Sequence, residues 1–330
     1  MDRRKFLLLT GALAAGCGVG ESSGGETKKL RYQGWTGQVN PPELAQDLGY
    51  LGDVTLEWVG NTISGPQDIQ SAATGQVDFG GAFNGAVVKL AVSNAPITAV
   101  ISYYGVDEAQ FSGYYVRADS KIQSARDLPG AKVGMNTLGA HAEAMLDIYL
   151  QRNGVAKADA ANVERLALPP VNTEQALRQG QIEVAVLGGI LRDKALQTGG
   201  IRPLFNDFEL LGRFSAGTYV LTKQFLRQNP QTAKTFVTGV AKAIEWSRTA
   251  PRAEVIARMK DIVGRRGRSE DTKPLDYWKS YGVAETGGRI RDKELQLWSD
   301  WLAERGDIKP GAVKVSDLYS NEFNTFTQAG

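Results

Sequence analysis

The residues with the chemistry to grip a small molecule fall at the ends of short apolar runs in this sequence. Trp35 in GWTGQ, Phe83 in GGAFNG and Tyr104 in SYYG offer flat or apolar walls. Ser64, Asn84 and Thr137 add hydroxyl and amide groups that hydrogen-bond without carrying charge. Gly139 and His141 lie in NTLGAHAE, which reads as the opening of a helix. The unpaired N–H groups and positive dipole end of such an opening suit a negatively charged group, and Gly139 would let that group approach the backbone closely. Gly188 and Gly189, in LGGILR, close a buried-looking apolar run in the second half of the chain.

Bond-making chemistry has little support. His141 is the single histidine, and a histidine is the commonest general acid or base. No cysteine nucleophile or carboxylate cluster accompanies it, so a ligand contact or a helix cap is the simpler use. GGAFNG lacks the Gly-x-x-x-x-Gly-Lys-Ser/Thr spacing of a phosphate loop, and no metal-ligand spacing occurs. A binder is expected, not an enzyme, with no cofactor and no metal. The charge is +2, from 38 basic and 36 acidic residues, which gives no footprint for nucleic acid. Hydrophobic and charged fractions of 42% and 22% are those of a soluble globular protein.

The elements that must position these residues come as a repeat. IQSAATGQVDFGGA (69–82) and EQALRQGQIEVAVL (174–187) superpose with Gly75 over Gly180, an offset of 105 residues. The same offset pairs Gly34 with Gly139 and Gly49 with Gly154. Each half reads strand–helix–strand–helix–strand, with glycines placed to stop the helices. That order implies an α/β fold in which each half is a mostly parallel sheet flanked by helices. Ligands bind such sheets beyond the carboxyl ends of the strands. Two facing halves then make a cleft, crossed twice by chain near SGYYVRADS (112–120) and RFSAGTYVLT (213–222). The expected division is 29–117 plus 216–330 for the first lobe and 118–215 for the second.

The tail reads as helical. Asn229 is placed to cap a helix from Pro230, and Ala233, Phe236, Val237, Val240 and Ile244 form an apolar stripe. A second stripe, through Leu295, Trp298, Trp301 and Leu302, reads as core. GRRGRSEDTK (264–273) reads as a solvated charged turn.

The amino-terminal residues read as a targeting segment. Arg3, Arg4 and Lys5 precede an apolar run from Phe6 to Ala15, about half the roughly 20 residues needed to span a bilayer. LAAGC resembles the bacterial lipobox, and RRKFL resembles a twin-arginine export signal. Leu13 stands one place earlier than the lipobox leucine. The resemblance implies a signal peptide over 1–16, a lipid anchor on Cys17 (the only cysteine) and a flexible polar tether over 17–28.

Taken in order, five segments resemble the substrate-binding proteins of ABC importers for nitrate, sulfonates, taurine and thiamine-precursor pyrimidines. They are ELAQDLGYLGDVTLEWV, DIQSAATGQVDFGGAFNGAVVKLAVSNAPITAVIS, IQSARDLPGAKVGMNTLGAHAEAMLDIYLQRNGV, QFLRQNPQTAKTFVTGVAKAIEWSRTAP and LAERGDIKPGAVKVSDLYSNEF. The resemblance covers nearly everything from residue 29 onward. It implies a two-lobed periplasmic-binding-protein fold with two hinge crossovers, closing on its ligand as a venus flytrap does. It also implies a lipid-anchored monomer on the outer face of the cytoplasmic membrane or in the periplasm, delivering a small-molecule ligand to an ABC permease and its ATPase. The expected ligand is a small organic anion, with an alkylsulfonate, taurine or nitrate as the type. A neutral heteroaromatic stacked by Trp35 and Phe83 is the alternative, as is a sensing lipoprotein without transport. Arg192 and Arg213 would reach such a ligand only by pointing inward.

Overall fold

The computed structural model of the chain describes residues 25–327, so the expected signal peptide and Cys17 lie outside the described residues. The first half runs β1 (Lys29–Gly34), α1 (Pro41–Asp47), β2 (Thr55–Asn61), α2 (Gly65–Ala73), β3 (Phe79–Phe83), α3 (Asn84–Val92) and β4 (Ile97–Val106). The chain then enters a second sheet through β5 (Ser112–Arg117). It continues as β6 (Lys132–Met135), α4 (His141–Arg152), α5 (Lys157–Ala160), β7 (Glu164–Ala167), α6 (Pro170–Arg178) and β8 (Val184–Gly188). α7 (Gly189–Thr198), β9 (Ile201–Asn206) and α8 (Asp207–Leu211) complete it. β10 (Phe214–Thr222) returns to the first sheet, followed by α9 (Lys223–Gln228), α10 (Pro230–Thr249), α11 (Arg252–Arg265) and α12 (Asp292–Arg305).

The repeat is visible in both helices and strands. α2 and α6 begin 105 residues apart, and so do β3 and β8. Gly75 and Gly180 follow α2 and α6 with φ of +75° and +69°, the left-handed conformation that ends a helix at no cost in Cβ sterics. The second sheet has the order β7-β6-β8-β5-β9. In the first, β1 pairs with β2 and β10 lies between β3 and β4. A hydrogen bond from Asp78 N–H to Arg31 O, 2.9 Å, sets β1 beside β3, so the strands follow β2-β1-β3-β10-β4. Each half thus has one antiparallel strand in the same place, β10 or β5.

That antiparallel strand comes from across the molecule. β5 hydrogen-bonds to β8 and β9, so residues 112–117 belong with the second sheet and not with the first lobe as the sequence suggested. The crossings are the short connections at 107–111 and 212–213, just before the two strands.

The α10 stripe is buried as its spacing requires, with Phe236 against Phe79 at 4.6 Å between ring centroids. Its phenylalanine, valine and isoleucine side chains each contribute about 1.5–3 kcal/mol by leaving water. Asn229 does not cap α10 with its side chain. Its Oδ1 accepts Thr27 N–H, and Glu26 takes the capping place, accepting the N–H groups of Gln231 and Thr232. The carboxylate of Glu26 meets the positive end of the helix, which pins residues 26 and 27 of the expected tether to the fold. Among the described residues no helix is long and apolar enough to cross a membrane.

Candidate ligand-binding site

Strand ends of both sheets converge on a cavity of about 410 Å³. From the first half come the β1–α1 loop with Trp35, the start of α2 at Gly65, and Phe83, Tyr103 and Tyr104 at the ends of β3 and β4. From the second come Asn136, Thr137 and His141 between β6 and α4, Thr173 on α6, and Gly188 and Gly189 at the β8–α7 junction. Gln110 and Ser112 enter from the first crossing, and Trp278, Ser280 and Tyr281 from the segment before α12.

Of the residues expected from the sequence, Trp35, Phe83, Tyr104, Thr137, His141, Gly188 and Gly189 line this cavity. Three do not. Ser64 precedes the lining residue Gly65 as the N-cap of α2 and makes no capping bond. Asn84 is fully buried, and its Nδ2 donates to the carbonyls of Ser215 and Glu294 at 3.2 and 3.4 Å, so its amide is taken up by the core. Gly139 has φ +68° and donates its N–H to Glu143 Oε2 at 2.6 Å, so the backbone that an anion was expected to approach there already faces a carboxylate.

The electrostatics rest on helix ends. α1 closes its own N-terminus with an Asn40–Glu43 capping box. α2, α4, α6 and α7 begin at the cavity with no side-chain cap, the N-cap residues being Ser64, Ala140, Pro169 and Gly188. The positive ends of four helices therefore face one space, with first-turn N–H groups left without a side-chain partner at α2, α4 and α7, whereas α6 opens on Pro170, which has no N–H to give. At α7 the absent side chains make room for polar ones. A Cβ on Gly188 would stand 2.9 Å from Ser112 Oγ, and one on Gly189 3.0 Å from Gln110 Nε2.

His141 Nε2 lies 2.9 Å from Asp207 Oδ2, whose other oxygen accepts Ser112 N–H at 3.0 Å. Asp207 is fully buried, and the imidazole sits among Phe83, Phe214, Tyr104 and Trp298. The pair fixes the ring and ties α4 to α8 and β5. Among the described residues no lysine or arginine lines the cavity. Arg192 is buried elsewhere, donating to the carbonyls of Phe111 and Ala109 and pairing with Asp193, so it holds the first crossing. Arg213 is exposed and pairs with Glu108 at 2.7 Å. Burial pushes the phenol pKa values of Tyr103 and Tyr104 upward, so both remain neutral donors. No His/Cys/Asp/Glu group among the described residues has the arrangement of a metal site.

A family model described as NMT1/THI5 like matches residues 41–254. No curated protein matches the sequence. Among solved structures, the chain is similar to the alkanesulfonate-binding protein SsuA from Xanthomonas axonopodis pv. citri bound to MOPS, with 18% identity and a TM-score of 0.69 over 90% of this chain and 99% of that one. The periplasmic nitrate-binding protein NrtA from Synechocystis PCC 6803 gives 13% identity and 0.69 over 90% and 87%. The desulfurization enzyme DSZB gives 14% and 0.60 over 90% and 97%. All three share the fold of this chain.

Proposed function

The chain belongs to the NMT1/THI5-like family, and from that premise we propose that it is the extracytoplasmic solute-binding component of an ABC importer. In this reading it captures a small organic anion in the cavity between its lobes, 29–106 with 214–327 and 112–211. The observation that carries the reading is the convergence of four uncapped helix starts on one aromatic-walled space. Helix dipoles and N–H groups hold an anionic head without a buried cation, and the rings of Trp35, Phe83 and Trp278 take an organic body. The head lies at the start of α7, where Gln110 and Ser112 add neutral donors. The sulfonate- and nitrate-binding proteins of the same fold support this choice. His141 and Asp207 serve to position the site, and no chemical step is assigned to them, although one protein of this fold is an enzyme.

A second reading has its own observation. The lack of lysine or arginine at the cavity among the described residues, together with its aromatic lining, favours a flat neutral ligand such as an aminopyrimidine. A thermal-shift screen of alkane- and arylsulfonates, nitrate and aminopyrimidines separates the two. A true ligand at a hundredfold excess over its Kd stabilises the folded state by about 2.7 kcal/mol.

Export and anchoring belong to the same proposal. Cys17 carries the lipid after cleavage of the signal peptide, and the monomeric lobes work outside the cytoplasmic membrane beside a permease and its ATPase. Cys17→Ser is expected to release the protein from membranes or leave an uncleaved precursor. Unchanged membrane retention, with no fatty-acid label on the wild type, rejects the anchor.

A further inference from the structure

Each half of the repeat carries a glutamate at the third position of its first helix, turned back toward the cavity loop. In α1, Glu43 accepts Asn40 N–H at 3.0 Å and the Tyr32 hydroxyl at 2.6 Å. In α4, Glu143 accepts Gly139 N–H at 2.6 Å. Both are more than nine-tenths buried. A carboxylate removed from water to that degree needs a cation beside it. Arg165 of β7 stands 3.7 Å from Glu143 Oε1, but the cation within hydrogen-bond reach of each glutamate comes from the C-terminal segment, which lies outside either half of the repeat. Arg266 Nη2 meets Glu43 Oε2 at 2.6 Å, and Arg305 Nη1 meets Glu143 Oε1 at 2.7 Å.

The two arms have different reach. Arg266 also pairs with Glu270 at 3.2 Å, and Glu270 Oε1 accepts Gly37 N–H at 2.9 Å, so the loop bearing Trp35 is held twice within its own lobe. Arg305 ends α12, which packs on α3 of the first lobe, yet its guanidinium lands on Glu143 and Asp147 of α4 in the second. Asp147 also meets Arg165 at 2.8 Å and Trp301 Nε1 at 3.3 Å.

We infer that Arg266 and Arg305 are positioning residues for ligand capture: each fixes the first cavity loop of one lobe through that loop's buried glutamate, and Arg305 also ties the two lobes together. The ligand part of this inference rests on the reading of the cavity given above. The brace also neutralises Glu43 and Glu143, whose charges would otherwise oppose an anion at the neighbouring helix starts.

The test uses readouts that need no ligand. In Arg305→Leu, amide hydrogen exchange at Gly139 is expected to rise by about tenfold or more over the change at core amides, and the small-angle scattering profile is expected to shift. In Arg266→Leu, exchange is expected to rise at Gly37 and Asn40 with the scattering unchanged. Arg305→Lys is expected to restore most of the Gly139 protection, since one ammonium still reaches Glu143. Should Arg305→Leu not fold, Glu143→Gln keeps the acceptor for Gly139 and removes the ionic attraction; a shifted scattering profile is expected there too. Uniform exchange changes with unaltered scattering overturn the brace. With propanesulfonate as probe, both leucine variants are expected to bind at least tenfold more weakly than the wild type. If the exchange and scattering changes appear but propanesulfonate does not bind the wild type, the brace stands and the anion reading falls.

Discussion

Asp68 Oδ2 accepts the backbone N–H of Gly81 at 2.7 Å, while Oδ1 of the same carboxylate is buried with no partner. The group sits in the first turn of α2, behind the cavity wall. Burial, opposed only by the Gly81 hydrogen bond, pushes its pKa up to about 7. A folded pKa above the unfolded one means that the folded chain holds the proton more tightly. The stabilisation this gives is present in full below about pH 4 and is lost as pH rises through about 7. Asp68→Asn keeps an acceptor for Gly81 and removes the charge. It is expected to exceed the parent in stability at pH 8 by up to about 4 kcal/mol, from about three pK units at about 1.4 kcal/mol each. Near pH 4 the two should agree closely. Urea unfolding at both pH values measures this, and an equal gap at both excludes a charge penalty at Asp68.

Gly188 is the N-cap of α7 in an extended conformation (φ −127°, ψ 157°) that any residue adopts. Gly188→Asp places a carboxylate where the anionic head is assigned. The new side chain displaces only Ser112 Oγ and caps the helix itself, so stability is expected to change by a few tenths of a kcal/mol. Affinity for a sulfonate is expected to fall about a hundredfold or more, because like charges brought together cost several kcal/mol. Binding of an aminopyrimidine would change little. Paired melting and binding curves give the answer, and undiminished sulfonate binding moves the head away from α7.

Gly217 in β10 faces Tyr104 so closely that a Cβ would stand 2.0 Å from the ring. Gly217→Ala is therefore expected to push Tyr104 out of the cavity wall and, because the same Cβ would stand 2.5 Å from Ala82 O, to strain the pairing of β10 with β3. Overpacking of this kind costs about 1–3 kcal/mol. Ligand affinity should fall with it, while Gly49→Ala, a positive-φ site with no atoms within 4 Å of a Cβ, costs stability and leaves affinity alone. Equal affinity losses in the two variants would mean that Tyr104 has no particular part in binding.

The repeat was legible because its punctuation is local. Gly75 and Gly180 end helices by their own conformational freedom, whatever surrounds them, and the apolar spacing of α10 needs only its own period. The cavity residues at strand ends followed from the fold those elements imply. Other parts depended on contacts that no local pattern carries. GRRGRSEDTK reads as a solvated turn, yet Arg266 from it is buried against Glu43, since a charge run looks the same whether its partner is water or a distant glutamate. Asn84 has the sequence context of a cleft amide, but Ser215 and Glu294, distant in sequence, take up its Nδ2 in the core. Gln110, Ser112 and Tyr281 enter the cavity only because the crossing and the segment before α12 fold back over it. Their polar and aromatic types were the available signal, without any spacing to single them out.

Closure of the lobes is open to scattering. Saturation with a ligand bound between them is expected to lower the radius of gyration, the two short crossings at 107–111 and 212–213 taking up the rotation. An unchanged profile at saturation would leave a binding cavity without a flytrap motion.

The most direct measurement is isothermal calorimetry of the protein with propanesulfonate, benzenesulfonate, nitrate and an aminopyrimidine in turn. The expected result is saturable one-to-one binding of a sulfonate that is lost in Gly188→Asp. One-to-one binding of the aminopyrimidine, with no heat from any anion, would contradict it.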